Sequence, residues 1–190
     1  MKNIVLFGAP GAGKGTQADM LKEQCGMIHI STGEVFRYNI KKNTELGKIA
    51  KSYIQKTQLV PDDVTIDMLF KEVERFPDAI GIIFDGFPRT ETQAEALDKF
   101  LTKRNDIISA MIALEVPDEV LIDRILARGK TSGRQNDQSE KKIKIRLKDY
   151  YDNTEILKNY YQKQNKYYGV DGIGTIEEIN KRVRKITEQF

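Results

Sequence analysis

Residues 3–16 of this chain read NIVLFGAPGAGKGT, an apolar run followed by four glycines and a lysine. A continuously apolar run is typical of a strand that is covered on both faces. Glycines directly after it let successive backbone N–H groups turn inward around a phosphate, because a Cβ would clash in the φ/ψ values needed. A helix that begins near Gly13 points its positive end at the same anion, and Lys14 can reach the outer phosphates. The spacing G-x-x-x-x-G-K between strand and helix therefore predicts a phosphate-binding loop (P-loop) rather than an exposed turn.

The rest of the chain alternates short apolar segments with longer segments of helical period. The predicted strands are Asn3–Phe7 and residues 27–30, 81–84, 110–116 and 167–170. The predicted helices are residues 16–24, 61–75, 91–103 and 118–128. This alternation indicates an α/β fold of three layers, in which helices flank a central parallel five-stranded sheet.

Three segments depart from this alternation. Residues 31–60 hold polar helical pieces without a strand, which predicts a small lobe hinged off the sheet. Residues 128–137, RGKTSGRQND, are glycine-rich and basic, and they predict an exposed loop. Residues 159–168, NYYQKQNKYY, are interpreted mostly as a solvated amphipathic helix.

Composition argues against several classes of protein. The 31 Lys+Arg exceed the 28 Asp+Glu by only three, and this excess of positive charge is too small to indicate a nucleic-acid-binding protein. No apolar stretch approaches the length of a membrane span, and no secretory segment is present. The one cysteine, Cys25, excludes an internal disulfide and a multi-cysteine zinc site, and we expect it to be a packed side chain. We therefore expect a soluble, cytoplasmic protein with small anions as ligands.

Seven stretches in order resemble the adenylate kinase family of nucleoside monophosphate kinases, in its short-lid form. They are GAPGAGKGT (8–16), STGEVFR (31–37), QLVPDDV (58–64), FDGFPRTETQ (84–93), DRILARG (123–129), SGRQND (132–137) and VDGIGT (170–175). The resemblance covers essentially the whole chain. It implies reversible transfer of the terminal phosphoryl group of MgATP to AMP, giving two ADP. It also implies a monomer whose partners are ATP, AMP and ADP, with Mg²⁺ and without zinc.

The resemblance further implies domains and site residues. Residues 1–30, 61–127 and 138–190 would form the core, residues 31–60 the AMP-binding lobe, and residues 128–137 a short lid. The implied catalytic side chains are Lys14, Arg89, Arg124, Arg128, Arg134 and Arg146. The implied ATP-binding residues are Gly11, Ala12, Gly13, Lys14, Gly15, Thr16, Arg128 and Gly174. The implied AMP-binding residues are Thr32, Arg37, Gln58, Leu59, Val60, Gly86, Phe87, Pro88, Arg89, Gln93, Arg134 and Arg146.

Several of these positions also have a direct chemical reading. Asp85 ends an apolar strand, where a carboxylate can hold magnesium through water. Gly15 lacks the hydroxyl that usually follows the loop lysine, so an oxygen facing the metal must come from Thr16 or elsewhere. Arginines suit bidentate phosphate binding better than lysines do. His29 is expected to be a packed strand residue rather than a proton shuttle, because phosphoryl transfer to a phosphate needs no general base.

Specific residues argue against the alternatives to an adenylate kinase. UMP/CMP kinases of the same fold carry Ala at the position of Thr32 and Asn at that of Gln93. A GTP-binding switch is marked by Asn-Lys-x-Asp, which this chain lacks, and an inactive relative would not be expected to keep Lys14 and every arginine. The chain departs from the family at Glu34 and Asn136, where Asp is usual. It also has one extra residue between Arg134 and Arg146. These departures concern the orientation of the lid, not the reaction.

Overall fold

A computed structural model describes residues 3–132 and 135–190 of the chain. Its centre is a five-stranded parallel sheet with the strand order β2-β3-β1-β4-β5. The strands are β1 (Asn3–Phe7), β2 (Ile28–Ser31), β3 (Ile82–Asp85), β4 (Ile108–Glu115) and β5 (Tyr167–Asp171). The direction in which strands are added reverses beside β1, and sheets of this kind bind ligands at the carboxyl ends of the strands near such a point.

Helices cover both faces of the sheet, which confirms the predicted fold class. They are α1 (Lys14–Cys25), α2 (Thr32–Lys41), α3 (Glu45–Gln55), α4 (Asp62–Glu74), α5 (Glu91–Lys103), α6 (Asp118–Gly129), α7 (Glu140–Asp149), α8 (Leu157–Gln162) and α9 (Ile176–Thr187). A 3₁₀ turn at Gln135–Asp137 precedes α7, and a π turn at Tyr150–Thr154 follows it. No helix within residues 3–132 and 135–190 has the length and apolar character needed to cross a bilayer.

The two faces of β1 build two separate apolar cores, since successive side chains of a strand point to opposite faces. Ile4 and Leu6 belong to the core formed with α1, α6, α7 and α9. Val5 and Phe7 belong to the core formed with α4, α5 and α8. All four side chains are nearly inaccessible to solvent. A fully buried strand therefore fixes the phosphate-binding loop that follows it between two packed layers.

The lobe predicted for residues 31–60 consists mainly of α2 and α3, although its first residue, Ser31, ends β2. The two helices meet where a Cβ on Gly47 would overlap the backbone carbonyl of Asn39. Glycine at this position lets the two backbones approach closely.

Two expectations about local structure were wrong. The strand predicted for residues 167–170 is present as β5, but the residues before it do not form one solvated helix: α8 ends at Gln162, and Asn165 has a φ of 56°. Tyr161 is fully buried in the core instead of facing solvent. Cys25, expected to be packed, is exposed at the end of α1.

Candidate active site

The phosphate-binding loop connects β1 to α1 and has left-handed backbone at three glycines. Gly8, Gly11 and Gly13 have φ values of 136°, 89° and 98°. A Cβ on Gly8 would lie 2.7 Å from the carbonyl oxygen of Leu114, so the loop is pressed against β4. At Gly13 a Cβ would meet nothing within 4 Å, so the positive φ alone requires glycine there. Gly13 also offers α1 no side-chain cap, so backbone N–H groups of its first turn remain available to an anion.

Lys14 folds back over this loop. Its Nζ donates to the carbonyl oxygens of Gly8 at 2.7 Å and of Ala9 at 3.1 Å. Burial of the ammonium lowers the pKa of Lys14 to about 8, against the opposing effect of Asp85. The positive charges of Arg89, Arg146 and Arg128 lower this pKa further. The lysine, the carboxylate and three arginines therefore lie close enough to influence one another.

Asp85 ends β3 at the same sheet edge, opposite Ser31 in β2 and Leu6 in β1. Its Oδ2 lies 3.5 Å from Nε2 of His29, a contact that is long for a hydrogen bond. Burial alone would raise the pKa of Asp85, but the neighbouring His29 and Lys14 outweigh it, and the net shift is downward. Asp85 is therefore ionised at neutral pH.

His29 is nearly buried, as expected, but its ring contacts two carboxylates that the sequence did not indicate. Its Nδ1 lies 3.1 Å from Oδ1 of Asp19 on α1, and its Nε2 faces Asp85. Burial lowers the pKa of His29, whereas Asp85 and Asp19 raise it, and the net shift is upward. The histidine thus connects α1 with the carboxyl end of β3.

Asp137 holds two of the predicted arginines side by side. It accepts a hydrogen bond from Nε of Arg128 at 2.7 Å and another from Nη1 of Arg146 at 2.7 Å. Its side chain is only 1% exposed. Burial would raise the pKa of Asp137, but the two guanidinium groups outweigh it and lower the pKa. One buried carboxylate therefore orients an arginine from α6 and an arginine from α7 toward the same cleft.

Arg89 follows a turn in which Gly86 has a φ of 79° and the peptide bond between Phe87 and Pro88 is cis. Its Nε donates to the carbonyl oxygen of Gly86 at 2.8 Å. The side chain is exposed to the cleft. Desolvation by the surrounding protein atoms nevertheless lowers the pKa of Arg89, and the positive charge of Arg146 lowers it further. Arg89 therefore lies close enough to Arg146 for their positive charges to interact.

Thr32 and Gln93 lie on either side of this turn, and both are buried. The hydroxyl of Thr32 donates to the carbonyl oxygen of Asp85 at 3.2 Å. The amide of Gln93 accepts a hydrogen bond from the backbone N–H of Arg89 at 2.8 Å and donates one to Oδ1 of Asp62 at 2.7 Å. Nothing in the sequence indicated that Asp62, rather than its neighbour Asp63, would contact Gln93.

The remaining predicted AMP-binding residues line the lobe. Arg37 is exposed on α2, with Nη2 3.9 Å from Oε1 of Glu34. Between α3 and α4, Gln58 is exposed, Leu59 is partly exposed and Val60 is buried. These residues therefore lie on α2 and in the segment between α3 and α4.

The segment predicted to be a lid contacts the segment predicted to be the AMP-binding lobe. Nδ2 of Asn136 donates to the carbonyl oxygen of Ile54, at the end of α3, at 3.3 Å. Oδ1 of the same side chain accepts a hydrogen bond from Lys142 at 3.3 Å. The predicted site residue Arg134 lies outside the described residues.

Arg124, on α6, contacts the segment that follows β5. Its Nη2 donates to the carbonyl oxygen of Gly172 at 3.1 Å, two residues before Gly174. Gly174 has a φ of 124°, and a Cβ there would lie 2.6 Å from a carboxylate oxygen of Glu178. Arg124 and Gly174 therefore belong to one side of the cleft, next to the end of β5.

The carboxylates of the site do not form a metal cluster by themselves. Within the part of the chain that the structure describes, no group of three or more His, Cys, Asp or Glu side chains could hold a metal ion. Asp85 therefore stands as a single carboxylate beside the phosphate-binding loop. A magnesium ion that keeps most of its waters needs only one or two carboxylates together with phosphate oxygens.

Comparisons with known proteins agree on one family. A sequence model described as adenylate kinase matches residues 6–166. The adenylate kinase of Flavobacterium johnsoniae is 54% identical over 190 residues, covering all of both chains. That of Bacteroides fragilis is 50% identical over 188 residues, 99% of each chain. That of Porphyromonas gingivalis is 46% identical over 190 residues, 100% of this chain and 97% of the relative. These comparisons give no support to the alternative of a UMP/CMP kinase.

Proposed function

This chain belongs to the adenylate kinase family and catalyses the reversible transfer of the terminal phosphoryl group of ATP to AMP, giving two ADP; we propose how its residues divide that reaction. The observation that supports the proposal is that Asp137 holds Arg128 and Arg146 together, near enough to Lys14 for their charges, and those of Asp85 and Arg89, to shift the pKa of Lys14. Phosphoryl transfer needs positioning and charge stabilisation far more than covalent chemistry. A cleft with four cationic side chains and one carboxylate supplies that kind of stabilisation.

On the ATP side, the phosphates bind the backbone N–H groups of Gly11, Ala12, Gly13, Gly15 and Thr16, together with Lys14 and Arg128. The positive end of α1 and the glycine backbone form an anion site. Lys14 moves from the carbonyl oxygens of the loop to the outer phosphates. Gly174 lies at the base of ATP, and the position of Arg124 beside Gly172 supports a place for Arg124 on the same side.

Magnesium fits the ATP side through Asp85. The carboxylate is ionised, and a Cβ on Gly15 would lie 3.7 Å from its Oδ2, so Asp85 faces the residue after the loop lysine. Magnesium supplied with ATP neutralises charge on the phosphate oxygens. Asp85 would hold it through water, and the exposed hydroxyl of Thr16 at the start of α1 is the other oxygen available from this part of the chain.

On the AMP side, Arg37, Arg89 and Arg146 bind the phosphate that attacks ATP. The turn formed by Gly86, Phe87 and Pro88 presents Arg89. The base contacts Thr32 and Gln93, and the backbone of Gln58, Leu59 and Val60 closes around it. The AMP phosphate is itself the nucleophile, so no general base is required.

Closure of two mobile parts excludes water that would otherwise accept the phosphoryl group. Residues 31–60 close over AMP and residues 128–137 close over ATP, on a core of residues 1–30, 61–127 and 138–190. The contact between Asn136 and Ile54 supports this assignment, because it joins the two parts across the cleft. Arg134, in the lid, meets the transferring phosphoryl group in this proposal. By its resemblance to the family, the protein works as a cytoplasmic monomer.

Acceptor choice tests the proposed site. We expect kcat/KM for AMP to exceed that for CMP and UMP by at least ~100-fold, because buried polar groups arranged for one base are left unpaired by another. ADP formation from ATP with each of the three monophosphates, in a coupled assay, measures this ratio. Comparable values for AMP and CMP would contradict the assignment of Thr32 and Gln93 to the acceptor base.

A further inference from the structure

The side-chain amide of Gln93 is held in one orientation by two partners of opposite character. The backbone N–H of Arg89 is a donor, so the amide atom 2.8 Å from it must be the oxygen. The carboxylate of Asp62 accepts only, so the atom 2.7 Å from its Oδ1 must be the nitrogen. A flipped amide would set oxygen against oxygen and N–H against N–H. The orientation therefore follows from the chemistry of the partners.

Asp62 is itself fixed by a second hydrogen bond. Its Oδ2 accepts from the hydroxyl of Thr90 at 2.9 Å. The Thr90 oxygen in turn caps α5 by accepting from the backbone N–H of Gln93 at 3.2 Å. One carboxylate at the start of α4 thus ties down both the cap of α5 and the glutamine in its first turn.

These hydrogen bonds leave the Gln93 amide with one donor and one acceptor that a ligand can use. Its nitrogen retains one N–H, and its oxygen retains one lone pair. A glutamine amide that offers one donor beside one acceptor matches adenine, whose exocyclic amino group donates and whose adjacent ring nitrogen accepts. For a base held in one pose, the pair matches adenine in only one of the two orientations of the amide.

We propose that Asp62 is a positioning residue that sets the acceptor base of this enzyme, by holding the Gln93 amide in the orientation that suits a 6-amino purine. The proposal rests on the proposed function, in which Gln93 contacts the base of AMP. A 6-oxo purine such as the hypoxanthine of IMP replaces the amino donor by an acceptor. It presents two acceptors on one edge, or the reversed order of acceptor and donor on the other, and the held amide mismatches both.

Asp62→Asn tests the orientation with little change in shape. The Asn amide can accept from Gln93 or donate to it, so a flipped Gln93 would meet one repulsive contact, with the backbone N–H of Arg89, instead of two. We expect the ratio of kcat/KM for AMP to kcat/KM for IMP to be at least ~100-fold in the wild type. In Asp62→Asn this ratio should fall by about tenfold or more, the scale of one hydrogen bond to a charged group.

Asp63→Asn is the matched control. Asp63 is exposed in the same first turn of α4, so its substitution removes the same charge from the same helix end. This variant should keep the wild-type AMP/IMP ratio, and thermal melts should show both Asn variants folded. The side-chain ¹⁵N–¹H₂ resonances of Gln93 provide a readout independent of activity, and they should shift in Asp62→Asn but not in Asp63→Asn.

The outcomes separate the proposal from the function on which it rests. A merely structural Asp62 would lower kcat/KM for AMP and IMP equally and leave their ratio unchanged, and that result overturns the proposal. Gln93→Ala should abolish most of the discrimination. If it does so while Asp62→Asn does not, only the role of Asp62 fails. If Gln93→Ala keeps the ratio, Gln93 does not contact the base, and both assignments fail.

Discussion

The ammonium group of Lys14 titrates close to physiological pH because it is buried against the loop that it serves. Burial lowers its pKa to about 8, so at that pH about half of the lysines are neutral. The phosphates of ATP favour the charged form and raise this pKa. Binding of ATP at pH 8 should therefore take up a fraction of a proton, about one half.

This uptake should fall toward zero below pH 7, where Lys14 is already protonated. Calorimetric titrations at pH 8 and pH 6.5, in buffers with different ionisation enthalpies, measure the number of protons taken up. Lys14→Arg is the control, because a guanidinium remains charged at both pH values, and it should show no such pH-dependent uptake. Equal uptake by wild type and Lys14→Arg at pH 8 would assign the proton to another group.

At the level of single residues, the sequence predicted which side chains lie near one another in the site. It did not predict which neighbouring residues hold those side chains in place. Lys14, Asp85, Arg128 and Arg146 come together as the motifs indicated. The partner of Gln93 could not be predicted, since Asp62 and Asp63 are chemically identical and only the start of α4 decides which one faces α5. His29 likewise meets Asp19 and Asp85, which lie on different elements.

Among the secondary-structure elements, the crossing of α2 and α3 depends on one residue without a side chain. A methyl group on Gly47 would overlap the backbone of Asn39, and backbone on both sides cannot move aside as a flexible side chain would. Gly47→Ala should therefore push the two helices apart and cost about 1–3 kcal/mol, as overpacking does. Because these helices form the proposed AMP lobe, KM for AMP should rise more than KM for ATP.

Hydrogen exchange and steady-state kinetics measure this effect. Exchange should speed up in α2 and α3 and remain unchanged in the sheet, since the strain is local. Lys51→Ala is the control, because Lys51 is exposed on the same helix and its truncation makes no new contact. Exchange protection in α2 and α3 equal to that of the wild type would show that the crossing tolerates the methyl group.

The strands and long helices were predictable because their apolar runs and periods are strong local signals. β1 and α5 were predicted to the residue, and the other strands to within two residues at each end. The prediction of one solvated helix over residues 159–168 failed because the pattern of aromatic and charged residues does not decide between two structures. It is compatible with one solvated helix and equally with a short helix followed by a turn and a strand. Tertiary packing determines the structure of this segment. Tyr161 fills the core, and Asn165 adopts the left-handed backbone conformation that ends the helical segment.

For the molecule as a whole, the hydrogen bond from Asn136 to the carbonyl oxygen of Ile54 links the proposed lid to the proposed lobe. An aspartate at this position could accept from Lys142 but could not donate to a carbonyl. Asn136→Asp should therefore weaken closure. We expect KM for both nucleotides to rise about two- to tenfold, the scale of one neutral hydrogen bond, without a fall in kcat.

Initial rates over a grid of ATP and AMP concentrations test this expectation. Asn159→Asp makes the same chemical change at an exposed position on α8 and should leave both KM values unaltered. A KM increase for only one nucleotide would place Asn136 in a single binding site rather than between the two closing parts.

The exposed thiol at the end of α1 has a practical consequence. Cys25 is the single cysteine of the chain and the last of the 12 residues of α1, whose first residue, Lys14, belongs to the phosphate-binding loop. At 1.5 Å per residue the two ends of that helix are ~18 Å apart, with the thiol at the amino-terminal edge of the sheet. A maleimide would therefore tether every molecule to a surface in the same orientation, with the cleft facing the solution and free to open and close.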